Sequence, residues 1–467
     1  MPEQTVQTAA AADLAARMRG ELIQPGDEAY DDARRVWNGM IDRRPGLIAR
    51  CACTEDVVAA VALARQSGLT VAVRGGGHSA AGYGTCDDGI VIDLSAMQGV
   101  EVDAGSRTAR AEAGATWGVF DAATQEHGLA VTGGRFSTTG IAGLTLGSGS
   151  GWLERKCGLT ADNLLEVEIV TADGGVLVAN ADENAELFWG IRGGSGNFGV
   201  VTRFTYRLHE VGPLVYGGLL ACAPERAPQI LRFLDEYMEE APDDLGTAAA
   251  FLSAPPEPFV PPEVQGAPML GLVICWSGDH AEGERMVAPI REVAQPMMDM
   301  VQPMPYTALQ SMLDGGGPKG VRAYMKAEFF KGDLDDELIA KLCDHGARRP
   351  GPMAQLLLEP MGGAIARTGE DETALGRRDV RWCYHALGLW MDPADDDAHV
   401  AWTRDLAADL EPHTQPGVYL NYTSDAGEER VRSSYGPDKY ARLQALKDRY
   451  DPDNVFRLNQ NVRPSGG

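Results

Sequence analysis

The sequence lacks the short signatures of the commoner chemistries. Its eight cysteines, at 51, 53, 86, 157, 222, 275, 343 and 383, include no C-x-x-C pair. That spacing excludes a paired-cysteine zinc site and a disulfide framework, predicts no metal centre, and suits reduced thiols. There is no G-x-x-x-x-G-K-[ST] loop, no H-E-x-x-H and no G-x-S-x-G, so P-loop, zincin and serine-hydrolase readings fall away. No stretch reaches ~18 apolar residues, so neither a transmembrane helix nor a membrane partner is expected. Basic residues are scarce: 41 Lys and Arg stand against 67 Asp and Glu, a formal charge of −26. A field of that sign repels phosphate backbones, and no nucleic-acid partner is expected. The N-terminus has no apolar core behind a basic start, so a secretion signal is not expected; the scattered thiols make a cytoplasmic location the expectation.

What remains is an ordinary globular balance, 44% hydrophobic and 23% charged over 467 residues. That excludes disorder along most of the chain. The length allows two to four domains, or two large ones. Residues 1–45 read as a helical lead-in. Thr54-Glu55-Asp56 reads as an N-cap with acids in the first turn, opening a helix to about Ser67 that Gly68 ends. Short strands are expected at 69–73, 89–94, 100–102, 108–112, 164–171, 176–179 and 199–208, with a helix at 117–127. After Gly212-Pro213 the texture changes. Strand-like runs at 269–276, 354–360 and 382–390 alternate with helix-like runs at 227–240, 281–295, 336–346 and 397–410. Prolines cluster at 255–268, as in a loop. This reads as a sheet covered by helices on one face. The last stretch predicts a strand at 418–422 and a helix at 437–450.

Gly194-Ser195-Gly196-Asn197-Phe198-Gly199 matches G-x-G-x-x-G. A dinucleotide fingerprint needs a helix next, whereas VVTRFTYRL alternates and is β-branched, so the match is set aside. Three glycine-rich clusters carry more weight together: VAVRGGGHSAAGYG (71–84), the run 133–163, and RGGSGNFGVVTRF (192–204). Glycines behind a strand let the backbone turn sharply and approach a ligand, and successive N–H groups can form an anion nest for a diphosphate. The first cluster closes on His78, which is otherwise a satisfied loop histidine. Plain turns between short strands are the bland alternative for any one cluster.

RPGLIARCACTEDVVAAVALARQSGLTVAVRGGGHSAAGYG resembles the opening segment of berberine-bridge-enzyme-like FAD-linked oxidases, in the vanillyl-alcohol-oxidase / p-cresol-methylhydroxylase superfamily. GLTADNLLEVEIVTADG, LFWGIRGGSGNFGVVTRF and YDPDNVFRLNQNVRP resemble it too, so the likeness runs from about Arg44 to Pro464. It implies an α+β fold. An FAD-binding domain of the PCMH type occupies 1–215, a C-terminal segment at 416–467 returns to it, and an α/β substrate domain at 216–415 has an antiparallel sheet covered by helices. It also implies a covalent bond from His78 to the flavin 8α-methyl. The residue chemistry agrees, since a neutral imidazole is a competent nucleophile and its attachment tunes the ring's potential. Further flavin contacts are expected at Arg74, Gly75, Gly76, Gly77, Ser79, Gly82, Gly134, Ser137, Thr138, Thr139, Gly140, Gly143, Gly147, Asp162, Asn163, Gly199, Val200, Val201, Asn459 and Asn461. Many relatives carry a second flavin link from the cysteine of G-x-C-P-T-V-G. Here the aligned stretch is Gly134-Arg135-Phe136-Ser137-Thr138-Thr139-Gly140, and Phe136 cannot form it. Cys157, in RKCGL, is out of register and reads as a packed thiol. One link is expected.

Alternation in 381–390 puts Cys383, His385 and Leu387 on one face. Relatives place a glutamate or glutamine five residues before the tryptophan; here His385 stands five before Trp390 and is the expected base, or else a half-buried structural histidine. Tyr419-Leu420-Asn421-Tyr422 resembles the family's Y-x-N-Y, with Tyr419 and Asn421 expected on one strand face and Tyr422 able to relay a proton. Tyr324 and Lys326 are further candidates near the ring, Lys326 being alternatively a solvated strand residue. The expected activity is an oxidase, with a small-molecule substrate and dioxygen as partners and hydrogen peroxide as product. A dehydrogenase and a non-catalytic flavin binder are the rivals. The sequence names neither the substrate nor the oligomeric state.

Overall fold

The computed structural model describes residues 2–256, 260 and 262–466, with side chains from residue 10 onward. Residue 1 of the expected lead-in helix and residues 257–259 and 261 of the expected proline-rich loop lie outside the described residues. Strands Leu47–Arg50, Ile90–Asp93 and Val71–Arg74 pair in parallel in that spatial order, and Glu21–Ile23 adds an antiparallel edge. All four residues of Ile90–Asp93 are buried, as expected of a strand covered on both faces. A second, antiparallel sheet has five strands in the order Val100–Asp103, Thr108–Glu112, Val200–Arg207, Leu164–Val170, Val176–Asn180. One apolar core joins both sheets and also takes in Val431, Tyr435, Tyr440, Leu443, Leu446, Phe456 and Val462. Helices Gly427–Tyr435 and Pro437–Tyr450 therefore bury their apolar stripes against the first half of the chain.

Between these parts of the sequence lies an eight-stranded antiparallel sheet. Helices Ala227–Glu240, His280–Ala294, Asp336–Ala347 and Asp396–Leu410 cover one face, over a core that includes Leu231, Leu234, Ile274, Leu342 and Leu406. The other face turns to the first half, packing Val273 and Cys275 near Trp152 and Leu153, and Met325, Leu387 and Leu389 near Trp37 and Ala80. This is the expected α+β architecture, with an antiparallel sheet covered by helices.

Three local expectations differ from the structure. The lead-in is a helix only over Pro2–Arg17, followed by the strand Glu21–Ile23 and a single turn at Tyr30–Ala33. Gly20 lets this happen: a Cβ there would lie 2.0 Å from the Arg50 carbonyl oxygen, so only glycine admits the close strand pairing. Thr54 is the first residue of its helix rather than the cap, and its Oγ1 donates to Glu168 Oε1 at 2.7 Å. Asp56 instead accepts from the backbone N–H groups of Arg19, Gly20 and Ala52. The 418–422 stretch is not a strand; Leu420–Tyr422 is a 3₁₀ turn. Beside the edge strand Arg322–Phe329 it bonds through Tyr419 N to Ala327 O, with Gln415 N to Phe329 O and Ser424 N to Met325 O on either side of the turn. Curling in between places side chains three apart on one side.

Candidate active site

A cavity of about 260 Å³ lies between the glycine-rich loops of the first half and the uncovered face of the eight-stranded sheet. Its floor is the end of strand Val71–Arg74 and the loop after it. Its roof is Met325, Leu387 and Leu389, and the tail residues Phe456, Leu458, Asn459 and Gln460 close one side. Two glycine loops meet with almost no space between them: a Cβ on Gly76 would lie 2.3 Å from Gly140 N, and one on Gly140 2.2 Å from Gly76 N. Gly147 admits Asn421 in the same way, since a Cβ there would sit 1.8 Å from Asn421 Oδ1. Asn421 Nδ2 donates to Leu144 O at 3.0 Å.

His78 stands at the end of the first loop, half-buried, with one edge on the cavity. Trp37 stacks on its ring at 5.2 Å between centroids. Thr138 Oγ1 lies 2.9 Å from Nε2 and Thr139 Oγ1 3.4 Å from Nδ1. Desolvation pushes the imidazole down to about 4, so at neutral pH it is uncharged and keeps a nucleophilic lone pair. Asp314 clamps the loop from outside, accepting from Ser137 N at 2.8 Å and Ser137 Oγ at 2.5 Å. Phe136 lines the cavity, and among the described residues no cysteine does. Cys157 is buried beside Trp152 and Cys275, and burial pushes its thiol up to about 12.

The opposite wall carries a buried polar cluster. Tyr422 and Arg135 line the cavity. Behind them His385, 1% exposed, packs edge-to-face on Tyr422 at 4.3 Å between centroids. Its Nε2 is 2.7 Å from Glu359 Oε2. Glu359 Oε1 receives Arg135 Nη1 at 3.0 Å, and Arg135 Nη2 lies 3.5 Å from Glu154 Oε1. Arg135 also donates to Ser150 Oγ at 2.8 Å and lies over the Trp152 ring. Burial alone would raise Glu359, but Arg135 and His385 outweigh it and hold its carboxyl below the usual carboxylate range. Burial pushes Tyr422 up to about 12 against the pull of Arg135, so the phenol keeps its proton.

Of the expected flavin contacts, Arg74, Gly75, Gly76, Gly77, His78, Ser79, Gly134, Thr139, Gly140, Gly143, Gly147, Gly199, Val201 and Asn459 line the cavity. Thr138 and Ser137 support that wall through the contacts above. Gly82, Val200 and Asn461 are not in the lining: Gly82 faces the Ile41 side chain, and Val200 belongs to the core. Asp162 and Asn163 are engaged elsewhere. Asp162 takes a two-pronged contact from Arg378 at 2.7 and 2.9 Å, and Asn163 donates to Cys157 O and Leu159 O. On the sheet, Tyr324 and Lys326 point away from the cavity. Met325 pairs across from Leu387 on the cavity face, whereas Lys326 pairs across from Ala386 on the helix-covered face. Lys326 and Tyr324 both bind the Asp425 carboxylate, and Arg404 Nε donates to Tyr324 OH. Tyr419 and Tyr422 come together at 5.7 Å between centroids, while Asn421 lines the cavity and is anchored to Leu144 O. His385 is on the cavity side of its strand but one layer below the wall. Sequence reasoning missed Arg135, Glu154 and Glu359. A lone acid closing the apolar strand Gln355–Pro360 was the available signal.

The cavity suits a flavin. Arg74 Nη1 and Asn459 Oδ1 are buried without a partner among the described residues, both side chains line the cavity, and the tight glycine contact leaves room for a ligand against bare backbone. Residues 45–180 match the family model of an FAD binding domain, and residues 418–463 the model described as berberine and berberine like. An FAD-linked oxidoreductase of Dictyostelium discoideum is 31% identical over 454 residues, covering 96% of this chain and 95% of that protein. The chain belongs to the berberine-bridge-enzyme-like FAD-linked oxidoreductases. The (R)-6-hydroxynicotine oxidase of Paenarthrobacter nicotinovorans is also 31% identical, over 469 residues, covering 96% of this chain and 98% of the relative. Among solved structures, 6-hydroxy-D-nicotine oxidase from Arthrobacter nicotinovorans matches this FAD-linked oxidoreductase with a TM-score of 0.83 at 28% identity, covering 96% of this chain and 98% of that one. BBE-like 1 of Physcomitrella patens matches at 0.85 and 23% identity, covering 96% and 97%, and shares the fold. This oxidoreductase has FAD as its cofactor, and the residues able to hold it are those of the glycine loops and the tail. Among its described residues, no helix is long and apolar enough to cross a membrane.

Proposed function

We propose that this chain is an oxidase that bonds FAD through His78 alone, takes a hydride from a small organic substrate and passes the electrons to dioxygen, yielding hydrogen peroxide. The observation that carries the reading is a single cavity with the uncharged His78 imidazole at one wall and a Tyr422–Arg135 pair at the other. FAD, when bound, accepts the hydride from the substrate C–H. The chain's own residues do the rest. Gly76 and Gly140 bring backbone N–H groups to the cofactor, and Arg74 and Asn459 offer it unpaired polar atoms. Tyr422 keeps its proton and orients a substrate hydroxyl or amine by hydrogen bonding. His385 is the base-capable side chain behind it. Met325, Leu387 and Leu389 exclude water from the reacting centre and shape its roof.

The proposed division assigns 1–215 and 416–467 to the flavin and 216–415 to the substrate, which makes the roof the place of specificity. Alcohols, sugars and cyclic amines are the substrate classes proposed; relatives named as hydroxynicotine oxidases support a small organic molecule. A cytoplasmic location is proposed from cysteine usage alone. The test is a mixed panel of these compounds screened for bleaching of the oxidised flavin without oxygen, then for peroxide in air. Bleaching with stoichiometric peroxide is expected. Dye reduction without peroxide would make the chain a dehydrogenase, and no bleaching by any class would overturn the reading.

A further inference from the structure

We propose that Glu359 is a positioning residue for this reaction: its carboxylate holds the Nε2 proton of His385 while Arg135 and Glu154 stand behind it, leaving Nδ1 as a proton acceptor one layer below Tyr422. The proposal rests on the oxidase reading above and adds the fate of the substrate proton. Glu359 lies across the sheet from Cys383, on the face that also carries His385. It is 2% exposed and accepts on both oxygens, from Arg135 at 3.0 Å and at the His385 contact of 2.7 Å. An ionised carboxylate has no hydrogen to give, so Nε2 must be the donor. Nδ1 is buried and has no partner among the described residues. A buried orphan N–H is rarer than a buried orphan acceptor, so Nδ1 carries the lone pair at rest.

The charge count points the same way. Around the imidazole stand two carboxylates, Glu359 and Glu154, and one guanidinium, Arg135. The other titratable groups facing it are Cys383 on its own strand and Tyr419 and Tyr422 on the turn; burial raises all three, which stay neutral. Its cross-strand neighbours, Ala327 and Leu357, are apolar. With both carboxylates ionised the cluster is one positive charge short, and a proton on Nδ1 supplies it. In the oxidation, the C–H bond breaks and both its electrons leave with the hydride to FAD. The O–H or N–H bond of the substrate also breaks, its proton ends as an N–H at Nδ1, and the cluster goes from one negative charge to neutral. Burial and the neighbouring Glu359 raise Glu154, so it is the carboxyl of the cluster able to share that proton.

The test uses FAD-loaded full-length protein with ¹⁵N-labelled histidine. Long-range nitrogen–proton NMR correlations give the tautomer, and His385 is assigned by the signals lost in His385→Asn. A proton on Nε2 and none on Nδ1 is expected at neutral pH; an Nδ1–H form would overturn the proposal. In Glu359→Gln the amide oxygen must face Arg135, which only donates, so the amide NH₂ faces Nε2 and the tautomer inverts. An unchanged tautomer in that variant would also overturn it. Flavin reduction by a bleaching compound should fall by ~10²–10⁴-fold in the variant while its FAD stays covalently attached. If Glu359→Gln does not fold, the tautomer of the unaltered protein still decides. The NMR arm needs no substrate, so its failure leaves the oxidase reading standing, and a panel without bleaching sinks that reading alone.

Discussion

Lys447 is the point where one substitution should undo the tail that closes the cavity. Its side chain and that of Asp451 are both 0% exposed, and Nζ lies 2.7 Å from Asp451 Oδ2. Nζ also donates to Asn197 O and Phe456 O, each at 2.9 Å. Asp451 in turn accepts from the backbone of Val455 and Phe456, where the cavity-lining part of the tail begins. Lys447→Met keeps the apolar stem and removes the ammonium. A buried carboxylate then loses its counter-charge, which costs about 3–5 kcal/mol. Two carbonyl oxygens lose a donor, adding on the order of 1 kcal/mol. The expected loss of about 4–6 kcal/mol is a large part of the ~5–15 kcal/mol that holds a typical domain folded. Asp451→Asn in the same protein removes the stranded charge and should recover about half of it. Urea unfolding followed by tryptophan fluorescence measures both, and FAD retention in a His78→Ala background reads the loosened tail. A loss below about 1 kcal/mol in Lys447→Met, or no recovery in the double variant, would refute the reasoning.

Three further outcomes are expected. His78→Ala should release flavin on acid precipitation, whereas the unaltered protein should carry it on the His78 peptide only; a flavinylated cysteine peptide would contradict the single link. Thr139, just before Gly140, lines the cavity, and a larger side chain there would narrow the path of dioxygen to the flavin; Thr139→Leu should slow reoxidation in air without slowing reduction, and equal reoxidation rates would count against it. Asp121 is fully buried with one partner, Gln310 Nε2 at 2.9 Å, and burial raises its carboxyl from 3.8 to about 7. A raised carboxyl contributes stability that is full below its unfolded value and lost as pH rises through about 7. That rise corresponds to up to ~4 kcal/mol. Asp121→Asn should therefore gain on the unaltered protein in unfolding free energy between about pH 4 and pH 8, and a pH-independent difference would rule the argument out.

The sequence was most legible where local chemistry and tertiary structure agree. The triple glycine ahead of His78 needed a close backbone approach, and Gly76 and Gly140 make it. The strand after Gly199 is there because β-branched residues alternate at that point, whatever the glycine spacing before it suggested. Legibility failed where a neighbour decided the outcome. Tyr419 to Tyr422 has a strand's composition, yet it lies past a sheet edge and curls. Lys326 and Met325 are adjacent, and only the pairing with Trp382–Trp390 settles which of them meets the cavity.

The buried wall shows why the proposed base was the hardest residue to place. Alternation correctly set His385 on the cavity side of its strand, but depth within a side is not a property of one strand. Depth is set by what lies over it, here a tyrosine delivered from 37 residues further along the chain by an irregular turn. The same holds for its charge partners. Arg135 reads as one basic residue in a glycine loop and Glu359 as one acid closing an apolar strand, and either alone would be taken for a solvated residue. Together with Glu154 they are nearly sealed from water, and such burial is tolerable only because each charge has another at hydrogen-bonding or ion-pair distance. A lone charge in an apolar run is thus a question about a partner elsewhere in the chain, and in this protein the partners meet at and just behind the cavity wall that carries Tyr422.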